Sequence, residues 1–282
     1  MAKYGIPYQG SKSGIADSII SVLPRGERFV DLFGGGFAMS ECALKSGKYK
    51  KVYYNELNPL LPKLIEKAIN GEYSYERHKP EWISREEFDR RKDQDGYIKY
   101  IWSFSNSGKN YLFSKELEPL KKSLHNFIVF GVKDAFLCKN FNDIDKYITG
   151  DDIRVRRILL GRYMKMKQQS RAFRELQRLE RLERLERLQQ LELHCGSYED
   201  YEYQEGDVVY CDPPYEGTAD YGKGFNSKAF YEWVLGRPYQ VFFSSYQISD
   251  KRLRMVWAKG KANLMNGARS QKQNYECLYS NK

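Results

Sequence analysis

The sequence FVDLFGGG, at Phe29–Gly36, joins a short apolar run to three consecutive glycines. A strand that ends in glycines lets backbone N–H groups approach a ligand at the carboxyl edge of a parallel sheet. Helical spacing of apolar residues over Ser13–Leu23 precedes the run, and a second helix is predicted over Phe37–Lys45. The stretch therefore predicts a helix, strand, glycine turn and helix at the start of an α/β domain.

The same alternation continues on both sides of a long middle region. Further predicted elements are strands at Lys51–Asn55, Asp207–Cys211 and Gln240–Ser245, helices at Pro59–Ile69 and Ser227–Leu235, and an edge strand at Asn274–Tyr279. This order predicts one parallel, Rossmann-like α/β domain formed by residues 1–70 and 196–282. Residues 71–195 are charged, aromatic and mostly helical in character, and we predict that they are inserted between the two halves of the sheet.

The insertion contains a triplet repeat, Arg-Leu-Glu, with a leucine at every third position over residues 176–191. An α-helix advances about 300° in three residues, so the leucine stripe drifts by about 60° per repeat. We predict a helix with a spiralling apolar face, supported by i,i+4 pairs of Glu180 with Arg184 and of Glu183 with Arg187. A solenoid with three residues per turn is the alternative, and a spacer is the simplest role.

The positive charge is concentrated in the middle of the chain. The net charge is +10, from 47 Lys and Arg against 37 Asp and Glu, and residues 196–282 are neutral. Residues 153–174 contain no acid and eight basic side chains: Arg154, Arg156, Arg157, Arg162, Lys165, Lys167, Arg171 and Arg174. Such a stripe favours a polyanion such as a phosphate backbone, although a solvated helix face has the same composition.

Several classes of protein are excluded by composition. No apolar run approaches the ~20 residues of a membrane span, and the first residues lack the apolar stretch of a secretory signal. The five cysteines are scattered without a CxxC pair, and only three histidines accompany them. We therefore expect a cytoplasmic protein without a membrane span, a disulfide framework or a metal site.

The sequence DPPY, at Asp212–Tyr215, follows a predicted strand. Pro213 and Pro214 lack N–H groups and fix the backbone, so a carboxylate, a rigid carbonyl and an aromatic ring are presented together. We predict that the Asp212 carboxylate and the Pro213 carbonyl accept the two hydrogens of an exocyclic amine on a flipped base. These contacts make the nitrogen lone pair available, while the Tyr215 ring stacks on the base.

The glycine turn alone admits more than one ligand. It can cradle a dinucleotide pyrophosphate, as in nicotinamide-dependent oxidoreductases, but the GxGxxG spacing is absent and DPPY has no role in such enzymes. Glu56 follows the second predicted strand, where a carboxylate can hold a ribose diol by two hydrogen bonds. An acid at the start of a helix would occupy the same position.

With the N-terminal Tyr8-Gln9-Gly10-Ser11-Lys12, these two motifs resemble the Dam and phage-type Dam family (D12 class) of DNA adenine-N6 methyltransferases. The resemblance implies an S-adenosylmethionine-dependent enzyme of a bacterial host or phage that methylates a flipped adenine in double-stranded DNA, with residues 71–195 as target-recognition domain. The cofactor-binding residues that it implies are Tyr8, Lys12, Asp31, Phe33, Gly34, Gly35, Gly36, Glu56 and Asp212. The catalytic residues that it implies are Asp212, Pro213, Pro214 and Tyr215. One departure is Asn55-Glu56, where the family commonly has Asn-Asp.

Two segments are candidates for contact with DNA. Residues 97–111 interleave aromatic side chains with Lys, Ser and Asn, which suits a strand-separating wedge or base contact, although Trp102 and Phe104 can equally be core. The predicted DNA-binding residues are Asn106, Lys109, Arg154, Arg156, Arg157, Arg162, Lys165 and Lys167. A cytosine-N4 or RNA methyltransferase uses almost the same trio, and a non-catalytic DNA-binding module would keep the same fold.

Overall fold

The structure, a computed structural model, describes residues 3–168, 174–215, 225–261 and 274–282. The chain forms two compact units, one of residues 1–5, 11–62 and 189–282 and the other of residues 6–10 and 63–188. These limits differ from the predicted insertion at 71–195. Residues 63–70 belong with the second unit, and residues 191–194 form a strand of the sheet in the first.

The strands of the described residues are β1 (Arg28–Asp31), β2 (Lys51–Asn55), β3 (Leu191–His194), β4 (Asp207–Cys211), β5 (Val241–Ser245), β6 (Arg254–Lys261) and β7 (Asn274–Ser280). They form one sheet in the order β3-β2-β1-β4-β5-β7-β6. The first five pair in parallel, and β7 is antiparallel to both β5 and β6. The predicted Rossmann-like α/β class is confirmed. The prediction of β7 as an edge strand is wrong, because β6, which the sequence did not reveal, pairs with its outer side.

The helices are α1 (Ala16–Val22), α2 (Ala38–Lys45), α3 (Leu60–Ile69), α4 (Arg85–Arg91), α5 (Gly96–Ile101), α6 (Glu118–Phe130), α7 (Ala135–Asn140), α8 (Ile144–Tyr147), α9 (Ile153–Met166), α10 (Arg174–Glu183) and α11 (Ser227–Leu235). Side chains alternate between the two faces of the sheet. Phe29 packs with α1 and α2 on one face, and Val30 packs with Phe230 of α11 on the other. Both faces of the sheet are therefore covered, as a parallel sheet requires.

The leucine repeat forms a helix over only part of its length. Leu176, Leu179 and Leu182 are buried in α10, whereas Leu185 lies in the following turn and Leu191 lies in β3. The prediction of one helix across the repeat is wrong in extent, because a stripe with three-residue spacing soon drifts off any single buried face. Glu180 and Glu183 form ion pairs with Arg157 and Arg154 of α9, so these two acids tie α10 to the preceding helix.

No helix among the residues that the structure describes has the length and apolar character needed to cross a membrane. Over the same residues, His, Cys, Asp and Glu side chains do not assemble into a group able to hold a metal ion.

Candidate active site

The carboxyl ends of β1, β2 and β4 lie side by side at one edge of the sheet, because these strands are parallel neighbours. Asp31 ends β1, Glu56 follows β2 and Asp212 follows β4. The structure thus brings three of the predicted site carboxylates to the same edge, where the charges of Asp212 and Glu56 both act on Asp31.

The glycine turn after β1 is fixed against the end of β2. The Gly34 N–H donates to the Asn55 carbonyl at 2.8 Å, and a Cβ added to Gly34 would lie 2.1 Å from the Tyr54 ring. Gly5 approaches from the N-terminal segment with φ +71°, and a Cβ there would lie 2.3 Å from the Gly36 carbonyl oxygen. Only glycine fits at these two positions, so the turn depends on Gly5, which the sequence analysis did not identify.

Glu56 connects the second strand to the glycine turn. Its Oε2 accepts the Gly35 N–H and its Oε1 accepts the Asn58 N–H, both at 2.9 Å. Burial raises the pKa of Glu56, and these backbone hydrogen bonds partly offset the rise. The Leu57 N–H also bonds the carboxylate, so three of its about four acceptor sites are used and one can accept a hydroxyl of the predicted ribose.

Asp31 carries a buried acceptor that no other described residue satisfies. Its side chain is buried, and Oδ2 accepts the Ser40 hydroxyl at 2.7 Å. Its Oδ1 has no hydrogen-bond partner among the described residues. Burial raises the pKa of Asp31 to about 7 against the opposing hydrogen bond from Ser40, and the nearby Asp212 and Glu56 raise it further. A buried acceptor of this kind suits a donor supplied by a ligand.

Four side chains, which we name the Asp212 cluster, meet beyond β4: Lys12, Asp212, Tyr215 and Glu276. The Lys12 ammonium lies 2.8 Å from Asp212 Oδ2 and 3.5 Å from Glu276 Oε1. The Tyr215 hydroxyl lies 3.1 Å from Asp212 Oδ1 and also contacts Glu276 Oε1. Lys12 Nζ is 4.8 Å from the centre of the Tyr215 ring, a cation–π distance. One cation is thus shared by two carboxylates and one aromatic ring.

Burial dominates the electrostatics of this cluster. It raises the pKa of Asp212, Lys12 opposes the rise, and the negative charge of Glu276 adds to it. Burial by itself would lower the pKa of Lys12, but attraction to Asp212 and Glu276 outweighs burial and raises it. Lys12 therefore stays protonated, and Asp212 is more ready to take up a proton than an exposed aspartate.

Glu276 was missed by the sequence analysis. It lies on β7 and is 2% exposed. The available signal was an acid within the otherwise apolar strand YECLY, because a carboxylate is costly to bury unless it is paired. The sequence alone could not name the partners, since Lys12 and Tyr215 come from distant parts of the chain.

The other predicted site residues have different surroundings. Phe33 stacks on Tyr198 with ring centres 5.0 Å apart. Pro213 is buried and Pro214 is half-buried. Tyr8 lies in the segment 6–10 of the second unit, with its ring 5.5 Å from Tyr100, and its contact with a cofactor stays a prediction. Cys211 is buried in β4, and burial raises its thiol pKa well above the usual value.

In the second unit, residues 103–111 form a loop that is closed by a bridge between Ser103 and Tyr111. Ser105 and Asn106 have φ of 54° and 57°, a left-handed conformation that is costly for these residues. Asn106 Oδ1 is buried without a partner among the described residues, and Lys109 is exposed. Trp102 is core whereas Phe104 is 52% exposed, so only part of the predicted DNA-contacting stretch reaches solvent.

Most of the basic side chains of α9 are engaged inside the second unit. Arg157 binds both oxygens of Glu180, Arg154 binds Glu183, and Lys167 lies 3.0 Å from Asp143. Arg156 is 9% exposed and donates to the Phe127 carbonyl, which removes it from any surface for DNA. Arg162 and Lys165 are exposed, without an ion pair in the described part of the chain, and Arg171 lies outside that part.

A family model described as D12 class N6 adenine-specific DNA methyltransferase matches residues 8–123 and 159–233, more than half of the chain. The match includes the glycine turn, Glu56, the loop 103–111 and DPPY. Residues 124–158 and 234–282 lie outside it, and Glu276 is among them. No curated protein gives a significant match to the chain.

Proposed function

The chain belongs to the D12 class N6 adenine-specific DNA methyltransferase family, and from this premise we propose how its sheet edge performs the reaction. Membership makes the protein an enzyme that methylates adenine N6 at specific sites in DNA. We propose S-adenosylmethionine as the methyl donor and the Asp212 cluster as the catalytic centre. The observation that carries this proposal is the contact of Lys12, Asp212 and Tyr215 at the edge where the glycine turn also ends.

The residues at this edge fit the cofactor. Asp31 Oδ1 is a buried acceptor without a partner among the described residues, and the Glu56 carboxylate, with three backbone donors, can still accept one ribose hydroxyl. In the described part of this edge, Asp31, Glu56, Asp212 and Glu276 outnumber Lys12, which favours a ligand with positive charge. S-adenosylmethionine, when bound, supplies a methyl group that is activated by its own sulfonium charge.

The DPPY side chains prepare the target amine. We propose that Asp212 accepts one N6 hydrogen and the Pro213 carbonyl accepts the other, so the nitrogen lone pair no longer delocalises fully into the purine ring. The ring of Tyr215 stacks on the extruded base. Lys12 holds Asp212 by an ion pair of 2.8 Å, which fixes the direction of the carboxylate. The main contribution of the protein is positioning of the two reactants in a desolvated site.

Double-stranded DNA is the proposed substrate, and the second unit is the proposed target-recognition unit. Support comes from the exposed Phe104 and Lys109 on the loop 103–111, and from the exposed Arg162 and Lys165 on α9. An aromatic ring and nearby cations suit insertion beside a displaced base and contact with phosphates. Since the substrate is DNA, we place the enzyme in the cytoplasm of a bacterial host.

The test is incubation of the protein with S-adenosylmethionine and unmethylated duplex DNA, followed by mass spectrometry of the released nucleosides. We expect N6-methyldeoxyadenosine with wild type and none with Asp212→Asn, while Asp250→Asn, which changes a surface acid paired with Arg252, retains activity. N4-methylcytosine, methylation of RNA but not DNA, or no product at all would each overturn the proposal.

A further inference from the structure

The Tyr215 hydroxyl lies between two carboxylates but carries one proton. It is 3.1 Å from Asp212 Oδ1 and contacts Glu276 Oε1 more closely. A hydroxyl can donate to only one of these acceptors at a time. Its second contact becomes a hydrogen bond only when the carboxylate on that side is protonated. The array Asp212–Tyr215–Glu276 therefore has a place for one additional proton.

Methylation of the adenine amine releases one proton. We propose that this proton passes from N6 to Asp212 and through the Tyr215 hydroxyl to Glu276, which holds it until the product leaves. The inference rests on the proposed place of Asp212 beside the amine. Glu276 touches no reacting atom and is a positioning residue that acts through Tyr215.

The steps balance. The bond between N6 and the methyl carbon forms as the bond between sulfur and that carbon breaks, and N6 then gives one hydrogen to Asp212. Asp212 donates this proton to the Tyr215 oxygen, and Tyr215 passes its own proton to Glu276 Oε1. After release of the product, the proton returns by the same route to water, because Asp212 is more exposed than Glu276, at 18% against 2%.

The surrounding charges favour storage of a proton at this place. Two buried carboxylates share Lys12, so the array with both acids ionised carries an excess negative charge that one proton removes. Titratable groups that act on Glu276 among the described residues include Lys12, Asp212 and Tyr215, with Tyr210 and Cys277 also within its field. Tyr210 has its own hydroxyl partner, Ser244, at 2.7 Å, so it does not complete a second path in this cluster.

The experiment compares Tyr215→Phe, Glu276→Gln and the double variant with wild type in single-turnover methylation across pH. We expect each single variant to be slower by about tenfold or more, less than the roughly 10²–10⁴-fold of a full general base, because Asp212 still accepts the proton from N6. The double variant should be no slower than the slower single variant, because both changes interrupt one path. Tyr210→Phe, which removes a buried hydroxyl of the same sheet, is the matched control and should keep the wild-type rate.

A purely structural role for Glu276 predicts slower methylation without a shift in the pH–rate profile, whereas the relay predicts a shift. Removal of its charge lowers the pKa of Asp212, so in Glu276→Gln the acid limb of the pH–rate profile should move to lower pH. The infrared band of a protonated carboxylic acid, followed as the free enzyme is titrated, should move in the same direction. The relay is refuted if Glu276→Gln is slower but shifts neither titration. It is also refuted if the losses of the two single variants multiply in the double variant.

These outcomes separate the inference from the proposed function. If wild type makes N6-methyladenine and both single variants keep its rate and pH profile, the relay is wrong and the proposed function stands. If Asp212→Asn also retains the wild-type rate, the proposed catalytic centre is wrong. Should Glu276→Gln fail to fold, Tyr215→Phe still tests the path, because it keeps the buried acid and the ring.

Discussion

The sheet edge around Asp212 and the helix pair α9–α10 are both rich in charged side chains, yet their charges are arranged differently. Among the described residues of the sheet edge, Asp31, Glu56, Asp212 and Glu276 outnumber Lys12, and Asp31 has an acceptor that none of them satisfies. In the helix pair, Arg154 and Arg157 are matched by Glu183 and Glu180. An unbalanced, buried set of charges is prepared for a ligand, whereas a matched set holds two helices together.

The largest expected effect is at the sheet edge. Asp212→Ala should slow single-turnover methylation by at least about 10³-fold, because the amine loses its hydrogen-bond acceptor and its proton acceptor together. Binding of DNA, measured by fluorescence anisotropy, should change little, since phosphate contacts supply most of that affinity. Near-normal turnover would show that Asp212 has no role in the mechanism. The proposed contrast between a charged site for a ligand and a structural set of ion pairs would then also be wrong.

The pH dependence of cofactor binding tests whether the negative charge of the sheet edge stabilises a positively charged ligand. The pKa of Asp31 is raised to about 7, so at pH 6 the carboxyl is mostly protonated and at pH 8 it is ionised. Affinity for S-adenosylmethionine, measured by calorimetry, should fall by up to about tenfold per pH unit below 7 and level off above it.

Asp31→Asn is the control for this titration and should flatten the profile below pH 7. The folded state of wild type binds the proton of Asp31 more tightly than the unfolded chain does, so ionisation of Asp31 costs stability as pH rises from about 4 to 7. The variant lacks this cost, and its melting temperature at pH 8 should equal or exceed that of wild type. If Asp31→Asn leaves the pH profile of cofactor affinity unchanged, the pH dependence belongs to another group.

The helix pair should respond in stability rather than in chemistry. Glu180→Gln leaves the guanidinium of Arg157, which is 13% exposed, without its two-point partner. We expect a loss of about 1–2 kcal/mol in the free energy of unfolding, measured in urea. Glu27→Gln, which breaks the exposed pair with Lys50, is the matched control and should cost less than about 0.5 kcal/mol. Equal losses would mean that burial does not distinguish these pairs.

The sequence was sufficient to predict the sheet edge because strand order forces those residues together. DPPY follows β4 and the glycines of FVDLFGGG follow β1, and parallel strands place their carboxyl ends on one side. Glu276 could not be assigned to the site from the sequence, because β7 is placed there by an antiparallel pairing with β5 that no local pattern specifies. For a related reason, the composition of residues 153–174 did not reveal which of their basic side chains are engaged in ion pairs within the protein. Composition is local, but whether Arg157 faces solvent depends on Glu180 in another helix.

The smallest effect concerns Arg162 and Lys165, two exposed basic residues of α9 that form no ion pair with a described residue. Arg162→Ala and Lys165→Ala should weaken DNA binding a few-fold at low salt, and each should reduce the slope of log affinity against log salt by about 0.9 if its side chain meets a phosphate. Lys167→Ala, at the end of the same helix, should leave the slope unchanged, because Lys167 is held by Asp143 at 3.0 Å. An equal loss of slope for all three would show that internal pairing does not withhold a cation from DNA. The two regions would then differ in the arrangement of their acidic side chains, and ion pairing would not decide which basic side chains bind DNA.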